Sequence, residues 1–298
     1  MTQSGISAVT PQFPDALIAW MSSQLITMAA FTLCAANAAT LKDSLVFHAS
    51  FDSGIDAEVA AGDKKLYSAP KMAFPPQAKP GLPASKVVTH ETSGGVSGGY
   101  LRFHKNSPEM VFFYAKDNMP LATNNWSGTV SFWLRLKPDE DLAPGYTDPI
   151  QITSKSWDNA SFFVEFSKDE KPREFRLGIY PDFEIWNPRK RDWNSIPMSE
   201  KPLVPVVHPP FSRDQWTHVT FTFEKFNTDQ PAGSAKLYLN GKAAGSLPPR
   251  TQTFTWDLDK ALIMLGLSYV GDWDELAIYN RALEPSEIAS LTARRSRP

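Results

Sequence analysis

Between Leu45 and Tyr279 the chain returns repeatedly to a period of two, and that period most restricts what it can fold into. Thr129-Val130-Ser131-Phe132-Trp133-Leu134-Arg135-Leu136 is the cleanest case. Alternation sends successive side chains to opposite faces of a strand, so Val130, Phe132, Leu134 and Leu136 are expected in a core. Ser131, Trp133 and Arg135 then point the other way. Shorter stretches behave alike: Leu45–Asp52, Tyr100–His104, Met110–Tyr114, Ile150–Thr153, Phe162–Phe166, Phe175–Tyr180, Trp216–Phe223, Ala235–Gly241, Leu262–Leu265 and Trp273–Tyr279. Many short strands with turn signals between them predict an antiparallel sandwich or barrel. Asn240-Gly241, between Leu237 and Ala243, predicts a tight hairpin. One helix is expected, near the end, over Pro285–Leu291.

Composition supports this and removes other classes. There are 25 prolines among 298 residues, against a usual ~5%. Proline disfavours long helices and favours loops and edge strands. A net charge of -2 leaves no electrostatic footprint for nucleic acid. A single cysteine, Cys34, rules out a disulfide framework and a cysteine-cluster zinc site. The five histidines show no metal-ligand spacing.

The first 38 residues read as a secretory leader. The apolar run Leu25–Leu33 precedes Ala36-Asn37-Ala38, an A-x-A cleavage pattern, although no Lys or Arg precedes Lys42. The competing reading is an uncleaved anchor, which needs ~20 predominantly apolar residues; polar Ser22, Ser23, Gln24, Thr27 and Thr32 interrupt this run. The expected organisation is a leader over 1–38, a linker over 39–44, one β-domain over 45–292 and a basic tail over 293–298. The location is then extracellular, periplasmic or at the cell surface, with no membrane partner unless the leader stays uncleaved.

Four pieces in order carry a resemblance: Ser127–Leu134, Gln215–Phe221, Ala235–Lys242, and the run Asp272-Trp273-Asp274-Glu275-Leu276-Ala277-Ile278-Tyr279-Asn280-Arg281-Ala282-Leu283 with Glu287-Ile288 beyond it. Together they resemble the laminin-G-like, concanavalin A-like jelly roll of secreted bacterial proteins, over roughly Leu45 to Leu291. The resemblance implies an all-β fold of two antiparallel sheets, one concave, with a short C-terminal helix. Combined with the alternation, it makes Trp133, Arg135, Glu165, Arg176, Tyr180 and His218 candidates for a sugar-binding face. Aromatic planes stack on pyranose rings, and charged groups make strong hydrogen bonds to hydroxyls. Which of these strands share one sheet stays open at this level.

The resemblance also implies a structural Ca²⁺ tying the first strand to the last. Asp52 and Asp274 occupy the matching positions, and hard oxygen donors suit that ion. The competing reading has Asp52 capping a turn and Asp274 pairing with Arg281. Pro181–Ser212, with Trp186, Trp193 and the Arg189-Lys190-Arg191 cluster, is too long for an ordinary connection. Trp186 and Trp193 either wall a glycan cleft or fold back onto the sandwich. Glycoside hydrolases of this fold carry an E-x-D-x-x-E strand, which this chain lacks. The expected function is therefore a non-catalytic module binding a polysaccharide or glycoconjugate. A polysaccharide-degrading hydrolase or lyase and an adhesion module are the alternatives. An enzyme requires a cleft with paired carboxylates, and an adhesion module a flat apolar patch without a cleft.

Overall fold

A computed structural model describes residues 1–2 and 41–295. The expected leader and its Ala36-Asn37-Ala38 pattern lie outside the described residues. A compact unit begins at Ser44. Among the described residues, no helix is long and apolar enough to cross a membrane.

Two antiparallel sheets face each other, as the alternation and the resemblance lead one to expect. In chain order the strands are β1 (Leu45–Ala49), β2 (Val59–Ala60), β3 (Tyr67–Ala69), β4 (Lys79–Pro80), β5 (Val88–Glu91), β6 (Tyr100–Phe103), β7 (Met110–Tyr114) and β8 (Trp126–Arg135). Then follow β9 (Thr147–Thr153), β10 (Ser161–Phe166), β11 (Phe175–Tyr180), β12 (Leu203–Val206), β13 (Thr217–Phe226), β14 (Gly233–Leu239), β15 (Lys242–Arg250), β16 (Leu262–Leu267) and β17 (Gly271–Tyr279). Short helices α1 (Pro138–Asp141) and α2 (Phe183–Trp186) sit in loops, and α3 (Pro285–Arg295) closes the chain. Helix α3 runs past residue 292, so the start of the expected basic tail is helical.

The first sheet runs β15-β14-β13-β8-β17-β1-β2, with β6 joined to β17 and β5 to β6. The second runs β12-β11-β10-β9-β16-β7-β3-β4. The inward residues interlock as apolar side chains between two pleated faces should. Val130, Phe132 and Leu134 of β8 are fully buried, as are Phe162, Val164 and Phe166 of β10. Phe132 stacks on Trp273 with ring centroids 5.1 Å apart. The Trp126 ring packs edge-on against Phe162 at 5.4 Å and Phe223 at 4.8 Å. Trp273 donates its indole N–H to the Pro149 carbonyl at 3.1 Å, which satisfies the one polar atom of a buried ring.

The predicted hairpin forms between β14 and β15. Asn240 and Gly241 hold φ of 50° and 75°, the left-handed pair that a tight two-residue turn requires. The long Pro181–Ser212 segment holds α2 and an unforeseen strand, β12, which pairs with β11 through Leu203↔Gly178 and Val204↔Leu177. Edge strands tolerate proline where the missing N–H faces away from the ladder, which explains a strand reading Leu-Val-Pro-Val.

Candidate ligand cleft

The outward face of the second sheet carries the candidate site. Phe162, Val164 and Phe166 point inward from β10, so Phe163 and Glu165 point outward. Register pairing sets Phe163 opposite Gly178 and Glu165 opposite Arg176 on β11. Arg176 Nη2 lies 2.7 Å from Glu165 Oε1. Gly178 is required here, because a Cβ at that position would overlap the Phe163 ring. Without it, Phe163 lies across β11 and stacks on Tyr180 at 5.5 Å.

Strand β9 supplies the other half of the floor. Val164 pairs with Ile150 and Phe166 with Thr147, so two residues, Asp148 and Pro149, stand opposite the single residue Glu165. This bulge breaks the alternation. It lets Asp148 and Gln151, three positions apart, line the same cavity as Glu165.

The result is a cleft of about 430 Å³. Glu165, Arg176, Asp148 and Gln151 form its polar floor, and Phe163, Tyr180, Trp157, Trp193 and Tyr146 form its aromatic walls. Trp157 packs edge-on to Tyr180 at 5.6 Å and to Trp193 at 5.4 Å. It is still 43% exposed, and Tyr146 is 51% exposed. Three buried polar atoms of the floor have no hydrogen-bond partner among the described residues: Gln151 Nε2, Arg176 Nε and the Tyr180 hydroxyl. Buried polar groups are normally satisfied, and these three floor atoms are exceptions.

Burial also shifts the acids. It pushes the Glu165 carboxyl up to about 7, against the opposing pull of Arg176. It raises Asp148 well above the ordinary carboxylate range, with the Glu165 charge adding to the effect and Arg176 reducing it. The Tyr180 hydroxyl is likewise raised by burial.

The residues expected to bind sugar separate into two groups. Glu165, Arg176, Tyr180 and Trp193 meet in the cleft. Trp186 folds back behind it: its indole donates to the Asp158 carbonyl at 2.7 Å, and its ring packs edge-on to Tyr180 at 5.0 Å. Trp133, Arg135 and His218 lie on the outward face of the other sheet, across the core from the cleft, because β8 and β13 belong there. Trp133 stacks on His218 at 4.6 Å, and His218 Nδ1 lies 2.6 Å from the Thr292 hydroxyl on α3. Arg135 pairs with Asp272 at 2.8 Å and covers the Trp216 ring at 4.5 Å. Tyr146, Asp148, Gln151 and Trp157 were not foreseen. Trp157 stood in a loop without a pattern, and the bulge concealed Asp148.

Asp52 and Asp274 do converge, on one glycine-rich loop. Asp52 Oδ1 accepts from the Gly98 N–H at 2.6 Å, and Asp274 Oδ2 accepts from the Val96 N–H at 2.7 Å. Arg281 pairs with Glu287 at 2.7 Å. Two carboxylates fit a hard cation in kind. Among the described residues no group of three or more His, Cys, Asp or Glu side chains gathers to hold a metal. Main-chain carbonyls and water would have to complete any calcium shell at this loop.

Several solved structures are similar to this chain. Domain 4 of AbnA, an extracellular GH43 arabinanase from Geobacillus stearothermophilus solved with arabinotriose, is 18% identical with a TM-score of 0.49, covering 84% of this chain and 98% of that one. The receptor-binding domain of botulinum neurotoxin type G is 11% identical with a TM-score of 0.50; the match covers 85% of this chain and 52% of that one. The binding domain of botulinum neurotoxin DC, solved with SialylT, is 14% identical with a TM-score of 0.44, covering 85% and 52%. No curated protein matches this chain in sequence. Residues 97–289 match the laminin-G-type family described as the concanavalin A-like lectin/glucanases superfamily. With two facing antiparallel sheets and a closing helix behind that match, the chain belongs to the concanavalin A-like lectin/glucanase superfamily.

Proposed function

We propose that this protein binds a carbohydrate in the cleft on the outward face of the β12-β11-β10-β9-β16 region. The observation that carries the reading is the pairing of open aromatic surface at Trp157 and Tyr146 with the unpartnered floor atoms of Gln151, Arg176 and Tyr180. A pyranose presents the matching chemistry, with C–H faces for the rings and hydroxyls for the polar atoms. The exposed apolar residues Met72, Tyr146 and Trp157 line this concavity, which favours a glycan over a flat protein–protein contact. A glycan array followed by calorimetry on the hits tests it. Binding that weakens about tenfold in Trp157→Ala supports the reading, and an array blank across neutral, amino and acidic glycans overturns it.

A second reading, glycoside hydrolysis, is favoured by one observation: the Asp148 and Glu165 carboxyls share the cleft and one is raised to about 7. One carboxyl would protonate the leaving oxygen while the other takes a proton from the attacking water. Reducing-sugar release lost in Glu165→Gln supports hydrolysis. Stable binding of the array hits with no release rejects it.

Export and calcium complete the proposal. The leader reading is checked by the mass of the exported protein, which should begin after Ala38. The Asp52 and Asp274 pair is the place assigned to calcium, supported by the convergence of both carboxylates on the loop at Val96 and Gly98.

A further inference from the structure

The carbohydrate reading leaves open which chemical group the cleft floor selects, and the inference below rests on that reading. Two carboxyls and one guanidinium line the cavity. Glu165 has its counter-charge in Arg176 at 2.7 Å. Asp148 has no hydrogen-bond or ion-pair partner among the described residues; it meets only burial and the fields of Glu165 and Arg176. When both acids ionise, the lining therefore holds one negative charge in excess, and that charge sits on Asp148. The surrounding walls accept cations through their ring faces. The Arg176 guanidinium carbon already lies 5.3 Å from the Tyr146 centroid, and Lys201 Nζ lies 4.0 Å from that of Trp193.

We infer that the cleft selects a sugar carrying a protonated amine, a hexosamine unit with its amino group free, seated against the Asp148 carboxylate within the aromatic walls. An uncompensated buried carboxylate is costly, and an ammonium within hydrogen-bond reach supplies the missing counter-charge. Such a bond between two charged groups is the stronger kind. A uronic or sialic carboxylate supplies no such counter-charge and gains nothing from Asp148.

The ionisable groups facing Asp148 oppose one another. Glu165 projects from β10, Arg176 and Tyr180 from β11, and Tyr146 from the segment before β9. Farther out, Glu170 acts on Glu165, Lys201 on Arg176 and Arg250 on Tyr180. Without a cation, burial favours the protonated Asp148 carboxyl. Binding the ammonium form favours the carboxylate beside –NH₃⁺, and any proton displaced passes to solvent.

The test is calorimetry on the full chain with two probes, a β-1,4-linked glucosamine tetramer and its fully N-acetylated counterpart. The free-amine form should bind about tenfold more tightly, as expected for a hydrogen bond between charged groups. Asp148→Asn should bring the two forms to the same affinity. Should that variant fail to fold, the wild-type chain still decides: the preference should vanish at a pH alkaline enough to discharge the amine. Equal affinities in the wild type, or a preference that survives in Asp148→Asn or at alkaline pH, overturns the inference. If the array hits are neutral or acidic glycans and neither tetramer binds, amine selection fails while carbohydrate binding stands. A fully blank array removes both.

Discussion

Glu165 faces Arg176 directly across the β10–β11 ladder, and its Oε1 lies 2.7 Å from the Nη2 of that guanidinium. Both side chains are almost wholly enclosed, so the pair is an ion pair inside the protein and not a surface contact. Removing the carboxyl leaves the enclosed guanidinium, which cannot shed its charge, uncompensated. Glu165→Leu should therefore lower stability by about 3 kcal/mol. Adding Arg176→Met to it should recover part of that loss. Urea unfolding of the two variants checks this, and a single variant as stable as wild type would show that the pair contributes nothing.

Burial raises Glu165 to about 7 in the folded chain, above the ordinary value of 4.5. Between those two values the folded protein holds a proton that the unfolded chain has lost. Stability from this group is complete below about pH 4.5, falls as pH rises, and is gone above about pH 7. Asp148 shifts in the same direction and adds to the slope. Glu165→Gln should flatten the decline in melting temperature across this window.

The two tryptophan positions on opposite sheets should respond differently. Trp157→Ala opens the cleft wall, and glycan affinity should fall about tenfold while the melting temperature barely moves, since the ring is 43% exposed. Trp133→Ala removes a buried ring stacked on His218 on the other sheet. It should cost roughly 3 kcal/mol of stability and leave glycan affinity unchanged. Calorimetry and thermal melting of both variants separate a binding residue from a packing one.

Gly178→Ala should displace the Phe163 ring, because the new Cβ would occupy its place. Overpacking of this kind costs roughly 1–3 kcal/mol. A ring that swings toward the cleft narrows it, so affinity and stability should fall together. A variant that binds as wild type does would show that the floor re-forms without this contact.

Calcium has a direct readout. A ion bound only by the folded protein at a concentration ~100 times its dissociation constant stabilises by about 2.7 kcal/mol. Excess chelator should then lower the melting temperature by several degrees, and Asp52→Asn should abolish the response. An unchanged melting curve would take Asp52 and Asp274 out of a metal role and leave them as carboxylate acceptors for the loop amides at Gly98 and Val96.

Alternation by itself determined an antiparallel sandwich or barrel, which the family resemblance narrowed to two sheets; it also set the inward direction of Val130, Phe132, Phe162 and Val164 and the outward direction of Glu165, Arg176, Tyr180 and His218. It could do so because side-chain direction along a strand is a local property with a period of two. The Asn240-Gly241 turn was legible for the same reason, since positive φ at both positions is a local demand. Which outward residues meet was not local. His218 and Glu165 share an orientation within their strands but lie on opposite sheets, and only strand order decides that. The Asp148 position depends on a bulge that appears when β9 is laid against β10, and Trp157 enters the cleft through a loop whose path is set by contacts with Tyr180 and Trp193. Strand direction is written in consecutive residues. The cleft is made by pairings between residues far apart in the chain, and only the folded molecule brings those together.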